Sequence, residues 1–218
     1  MKYVYVVAHT ESQHHVDGLV GGWYDSVLTA RGRMDAAAIG RRLRELIPEG
    51  EPVEIHSSDL LRARETAEAI ATVLAVPVFP TAGLREKSYG EAEGRPQAWL
   101  DERFVFAPKL GERMEHRDGI AGAENKREFA TRIYHAIETI LERSCERQVI
   151  VTHGFALTFV VAAWIKMPLD SAGYINIRSS SGGISQLVED DTFHNRAIVS
   201  VNDTSHLAPW VAAQTSRR

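Results

Sequence analysis

The chain has 218 residues, 44% of them hydrophobic and 25% charged, proportions that fit a globular domain and exclude a mainly disordered chain. Lys and Arg number 25 against 29 Asp and Glu, a net charge of -4, which lacks the basic excess of a binder of nucleic acid or anionic membranes. Cys145 is the single cysteine, which excludes an internal disulfide framework and a cysteine-rich zinc site and suits a reducing, cytoplasmic compartment. A small-molecule partner is therefore expected. The unusual feature is nine histidines, which raises the question of metal ligands, catalytic groups or background.

The opening MKYVYVVAH carries one Lys and a short apolar run, too short for the core of a signal peptide. The longest apolar stretch, Phe155 to Ile165, has 11 residues, roughly half of a spanning helix, and reads as a buried helix. Tyr3 to Val7, β-branched and aromatic without alternation, predicts a strand buried on both faces. Thr29 is placed to cap a helix through about Ile47, stopped by Pro48 and Gly50. Val53 to His56 is a second strand, and Ser57-Ser58-Asp59 opens a helix to about Leu74. A third short strand lies between Pro77 and Pro80. From Leu84 to Asn125 the periodicity weakens, which predicts a lid-like excursion with only short helices. Helical spacing returns from Glu124 to about Arg143, followed by a strand over Gln148 to Thr152 and the apolar helix after Gly154. Strands are expected over Tyr174 to Ile177, Gly183 to Val188 and Arg196 to Val201.

Strands alternating with helices predict an α/β fold of three layers, a mostly parallel sheet flanked by helices. No Ser- or Pro-rich linker divides the chain, so a single domain over residues 1–210 is expected, with an inserted lid at about 87–125 and a disordered tail at 211–218. In such sheets ligands bind beyond the carboxyl ends of the strands. The residues there are His9-Thr10-Glu11, then Ser57-Ser58-Asp59 with Arg62, then His153-Gly154. They are predicted to converge on one mouth. Two histidines, an arginine and helix N-termini around one space make an anion site with a nucleophile in it, for which phosphate is the natural guest. Arg64, two residues from Arg62, is expected to face solvent.

Five strings, AHTES at 8–12, GGWYDSVLTARG at 21–32, SSDLLRARETA at 57–67, LREKSYGEAEG at 84–94 and VTHG at 151–154, resemble the histidine phosphatase (phosphoglycerate-mutase-like) superfamily in order and spacing. The resemblance covers about residues 3–165. It implies that His9 attacks phosphorus and becomes a phosphohistidine, that Arg62 holds the phosphoryl oxygens, and that His153 stabilises their charge. It implies that Glu86 protonates the leaving oxygen and then activates water. His15 stands where relatives carry a phosphate-contacting Asn, with His14 as a rival, and Thr10 stands in the family's first motif beside the phosphate. Trp23, Tyr89 and Gly154 are expected as further substrate contacts. Neither a cofactor nor a metal is implied: no His pair sits at i, i+4 on a helix, and no carboxylate cluster lies beside His9, His14 and His15.

The first motif departs from the family's Arg-His-Gly, reading Ala8-His9-Thr10. Losing one donor of transition-state charge typically costs on the order of 10² to 10³ in rate, which predicts an impaired enzyme. Three readings of Ala8 stand: a deliberate substitution in an otherwise intact site, which we favour; a weak phosphatase in which Arg31 or Lys87 substitutes; or a non-catalytic phosphate-ligand binder. Between the family's two activities, the mixed charge of residues 93–125 favours a phosphatase over a mutase. The lid aromatics Tyr89, Trp99, Phe104 and Phe106 are read as lid core rather than as a stacking site, and the C-terminal strands are candidates for pairing across a homodimer axis.

Overall fold

The computed structural model describes residues 1–207, so the expected tail at 211–218 lies outside the described residues. Four strands form the parallel part of one sheet: β1 (Lys2–Ala8), β2 (Val53–Ser58), β3 (Val78–Thr81) and β4 (Arg147–Thr152). Two more, β5 (Ile184–Glu189) and β6 (Arg196–Asp203), extend it in antiparallel fashion, giving the order β3-β2-β4-β1-β5-β6. The long helices are α2 (Ala30–Leu46), α3 (Leu61–Leu74), α5 (Lys126–Leu141) and α6 (Ala156–Trp164), and two short ones are α1 (Gln13–Asp17) and α4 (Gln97–Asp101).

The unalternating β1 run is explained by two cores. Val4 and Val6 pack with residues of α5 and α6 on one face, while Tyr5 and Val7 pack with residues of α2 and α3 on the other. Successive strand side chains point to opposite faces, so a strand covered on both sides has no polar face to show. The three-layer α/β expectation holds. The register that matters for function is Ala8 opposite Thr152 in the β1–β4 pair, reinforced by His9 N–H donating to Thr152 C=O at 2.8 Å. The next residue on each strand is a histidine.

Two expected elements differ. Ser57 and Ser58 belong to β2, and α3 begins only at Leu61 with Leu60 as an N-cap that has no side-chain bond. Its free Leu61 N–H instead donates at 2.6 Å to Asp25 Oδ1, a cap supplied from 36 residues away. Tyr174 to Ile177 is not a strand: a 3-10 turn covers Leu169–Tyr174, and Ile177 has both backbone groups bonded to the Thr158 hydroxyl instead of a neighbouring strand. The caps of α2 and α5 are as the sequence predicts or close to it. Thr29 Oγ1 accepts from Gly32 N–H, and Asn125 with Glu128 forms a reciprocal capping box.

Residues 85–125 wrap into a small cluster of their own, Ala92, Leu100, Ile120 and Ala123 around Val20, with Tyr89, Trp99 and Phe104 partly buried against it. Three of the four lid aromatics are thus packed as core, while Phe106 is 80% exposed.

The loop that carries His9 leans on the first turn of α2. A Cβ at Gly32 would lie 2.0 Å from the carbonyl oxygen of Glu11, which a helix cannot relieve by a side-chain rotation. Gly32→Ala is expected to cost about 1–3 kcal/mol of stability by forcing backbone apart. The measurement is the denaturant midpoint at unchanged slope; an unshifted midpoint contradicts this packing.

Candidate active site

The two histidines that follow β1 and β4 lie edge to face with ring centroids 5.0 Å apart. Nδ1 of His9 sits 2.7 Å from the Thr10 carbonyl oxygen. A carbonyl can only accept, so the proton is on Nδ1 and Nε2 keeps its lone pair. That lone pair accepts from Arg62 Nε–H at 3.2 Å.

Arg62 is 1% exposed, whereas Arg64 is exposed and pairs with Glu68, as the sequence predicts. The Arg62 terminal nitrogens donate to the carbonyls of Tyr24 (2.8 Å) and Gly22 (2.7 Å), so among the described residues the guanidinium is hydrogen-bonded to backbone and to His9 and to no carboxylate. Gly22 has φ +56°, a conformation that L side chains rarely adopt, and this turns its carbonyl to Arg62.

Ser58, the last residue of β2, completes the pair. Its Oγ accepts from Leu60 N–H at 3.3 Å and lies 2.8 Å from His153 Nε2. The Ser58 hydroxyl thereby occupies Nε2 of His153 and leaves Nδ1 as the ring's other nitrogen. That Nδ1 is buried and has no hydrogen-bond partner. A buried polar nitrogen without a partner is costly, and here it belongs to the ring that faces His9.

His14 is buried, with Nδ1 at 2.7 Å from Ser26 Oγ and 3.0 Å from Ser12 Oγ. A Cβ at Gly21 would fall 2.7 Å from its Nε2, so this glycine makes room for the ring. His15 is exposed and stacks almost parallel on His9, centroids 5.5 Å apart at 11°. Thr10 is fully buried, and both its N–H and its hydroxyl meet Thr66 Oγ1 on α3. The structure therefore brings His9, His15, Arg62 and His153 together, while the Thr10 hydroxyl is turned into the wall.

Glu86 is not a surface carboxylate paired with its neighbours. Arg85 forms a two-pronged pair with Asp59 and Lys87 pairs with Asp118. The Glu86 carboxylate accepts instead from Lys87 N–H and from Phe155 N–H, each at 2.9 Å, the latter one residue past Gly154. Trp23 donates from Nε1 to the Glu86 carbonyl at 2.8 Å. Tyr89 is half-buried, with the Lys87 ammonium 4.4 Å above its ring.

Burial pulls the pKa of His9 and His153 well below the usual imidazole value, with the Arg62 charge acting in the same direction. It pulls His14 down to about 3 and, where the His15 ring is covered by His9, lowers His15 as well, with the Arg62 charge acting in the same direction. Burial pushes the Glu86 carboxyl up, against the two backbone N–H donors and the Arg62 and Arg132 charges. The site thus favours neutral imidazoles, the state a nucleophile needs, and shifts Glu86 in the direction a general acid needs.

The histidine phosphatase superfamily (branch 1) family model matches residues 4–204. The chain belongs to this superfamily. A probable phosphoglycerate mutase of Salmonella paratyphi C is similar over 211 residues at 30% identity, covering 95% of each chain. The solved Bacillus stearothermophilus YhfR shares 25% identity at a TM-score of 0.74, over 94% of this chain and 99% of that one. A mycobacterial glucosyl-3-phosphoglycerate phosphatase with VO3 has the same fold at a TM-score of 0.75 and 21% identity, over 94% and 100%. The superfamily match extends beyond the 3–165 span of the resembling strings into β5 and β6.

Within this histidine phosphatase domain, sequence reasoning missed Arg132. Its Nε and one terminal nitrogen hold Glu124, and the terminal nitrogens also donate to the carbonyls of Gly83, Arg85 and Glu86. One side chain on α5 thereby fixes the loop that carries Glu86. No local string marks it; its signal is only its place beside the apolar stripe of Phe129 and Ile133. Among the described residues no helix is long and apolar enough to cross a membrane, and no group of three or more His, Cys, Asp or Glu is arranged for a metal ion.

The neutral histidines have a stability consequence. A histidine whose folded pKa is depressed binds its proton in the unfolded chain first, so stability falls as pH drops below about 6.5 toward the folded values. The melting temperature is expected to decline from pH 7 to pH 5, and less in the His14→Gln variant. Equal declines in both proteins contradict the burial of a neutral His14.

Proposed function

We propose that the protein is a metal-independent phosphomonoesterase, cytoplasmic, acting on a small phosphorylated metabolite of the sugar or nucleoside phosphate class. The observation that carries the reading is the His9 tautomer: Nδ1 spent on Thr10, and Nε2 unprotonated beside a buried guanidinium. His9 Nε2 attacks phosphorus while the bond from phosphorus to the leaving oxygen breaks, and Glu86 delivers its proton to that oxygen. Glu86, now a carboxylate, takes a proton from water as the water oxygen bonds phosphorus and the phosphorus–nitrogen bond breaks. His9 and Glu86 are restored. The Arg62 guanidinium and the His153 imidazole stabilise the phosphoryl charge. His15, stacked on His9, is a further phosphate contact, and Trp23, Tyr89 and Gly154 border the leaving group. Residues 87–125 act as the lid of a single domain.

Ala8 makes this a slowed enzyme. It is 2% exposed and shares a strand face with Val4 and Val6, the side that carries α5. The cations suggested as substitutes are otherwise engaged, Arg31 with Asp35 and Lys87 with Asp118. Phosphoryl transfer to a second substrate hydroxyl is the second reading, favoured by the 30% likeness to a probable phosphoglycerate mutase.

Ala8→Arg is expected to raise kcat on phosphomonoesters by about 10²-fold or more, with phosphate release exceeding transfer to any added alcohol. No gain, together with tight binding of the ester, overturns the enzyme reading in favour of a non-catalytic binder.

A further inference from the structure

Next to Glu86 lies a cavity of about 200 Å³ of which the chemistry above uses only the Tyr89 wall. It is joined to the site by two residues. Lys87 follows Glu86 in the chain, and Phe155 supplies the N–H that Glu86 Oε2 accepts; both line the cavity.

The lining has two parts. Tyr89, Phe104, Phe106 and Phe155 give flat apolar walls, and Phe106 contributes a ring that is 80% exposed and meets Phe104 edge to face at 5.2 Å. Against them stand three permanent cations, Lys87, Arg113 and Lys126, and one carboxylate, Asp118. Asp118 is committed to Lys87. Lys126 donates at 2.7 Å to the Gly173 carbonyl, and Arg113 lies over the Tyr174 ring with a buried Nε that has no hydrogen-bond partner. Among the described residues neither Arg113 nor Lys126 has an ion-pair carboxylate. Arg113 and Lys87 also act with burial to lower the Lys126 pKa, the mark of like charges held close.

An exposed surface disperses such charges into water, whereas here two remain at the wall of a small aromatic-lined hollow. We propose that this cavity receives the leaving group of the substrate, and that this group is a flat ring bearing an acid, the ring between the aromatic walls and the acid on Arg113 and Lys126. This rests on the phosphomonoesterase reading and narrows its substrate class. The volume is about that of six or seven waters, enough for one ring with a carboxylate and too small for an oligosaccharide. An acid beside the Arg113 guanidinium makes a charge-assisted hydrogen bond, stronger than any neutral group supplies.

The test compares phenyl phosphate with 4-carboxyphenyl phosphate. The acid is expected to have the higher kcat/KM by about tenfold or more, and Arg113→Met or Lys126→Met to lower it for the acid at least tenfold more than for phenyl phosphate. Arg113→Lys is expected to restore part of the preference. Equal kcat/KM values in the parent protein, or variants that lower both substrates alike, overturn the proposal. If neither ester is hydrolysed even by Ala8→Arg, the phosphomonoesterase reading fails by itself, and calorimetry with benzylphosphonate and its 4-carboxy analogue decides the cavity. A tenfold tighter Kd for the acid sustains the inference, and equal Kd values overturn it.

Discussion

A guanidinium taken almost wholly out of water is the constraint around which the site is built. Burying a charge costs several kcal/mol unless it is well hydrogen-bonded and partnered, and Arg62 has two carbonyls and an imidazole but no carboxylate in hydrogen-bonding contact. The paired glycines at 21 and 22 serve that burial, one by giving space to His14 and the other by turning its carbonyl to the guanidinium. The positive charge in turn helps to keep four nearby histidines neutral. A dianionic phosphoryl group is the partner we propose for such a centre.

The rest of the fold delivers groups to that centre with little freedom. Parallel pairing of β1 with β4 sets His9 beside His153, and the end of β2 sets Ser58 against His153 and so holds the ring in place. Glu86 comes from a loop, which is a poor platform for a proton donor. Here the loop is fastened from three sides, by Arg132 on its carbonyls, Trp23 on the Glu86 carbonyl, and the Phe155 amide on the carboxylate. Arg85 and Arg132 also lie over the Trp23 ring, at 4.9 and 5.6 Å, so the fastening residues hold one another.

Much of this is legible in the sequence, because strand ends in a parallel sheet place their next residues at a shared mouth. His9, Arg62 and His153 follow from that rule alone. The roles of Glu86 and His15 come only with the family resemblance, since a carboxylate between Arg85 and Lys87 reads as a surface ion pair until Asp59 and Asp118 are seen to take both cations. What stays hidden is long-range. Asp25 capping α3, Arg132 reaching three carbonyls, and Thr158 replacing a strand partner for Ile177 depend on chain segments tens of residues apart or on turns without a repeating pattern. The Thr10 hydroxyl shows the opposite limit, a residue beside the nucleophile whose bonds run to Thr66 behind it.

The central claim is that His9 Nε2 is the atom that takes the phosphoryl group. It is tested most directly by mixing the protein with a phosphomonoester, quenching in alkali, and mapping the phosphorylated peptide by mass spectrometry. A base-stable, acid-labile phosphate on the peptide containing His9, absent from His9→Asn, is the predicted result. Turnover with no phosphate on His9, or with inversion at phosphorus when a chiral ester is used, would contradict the account.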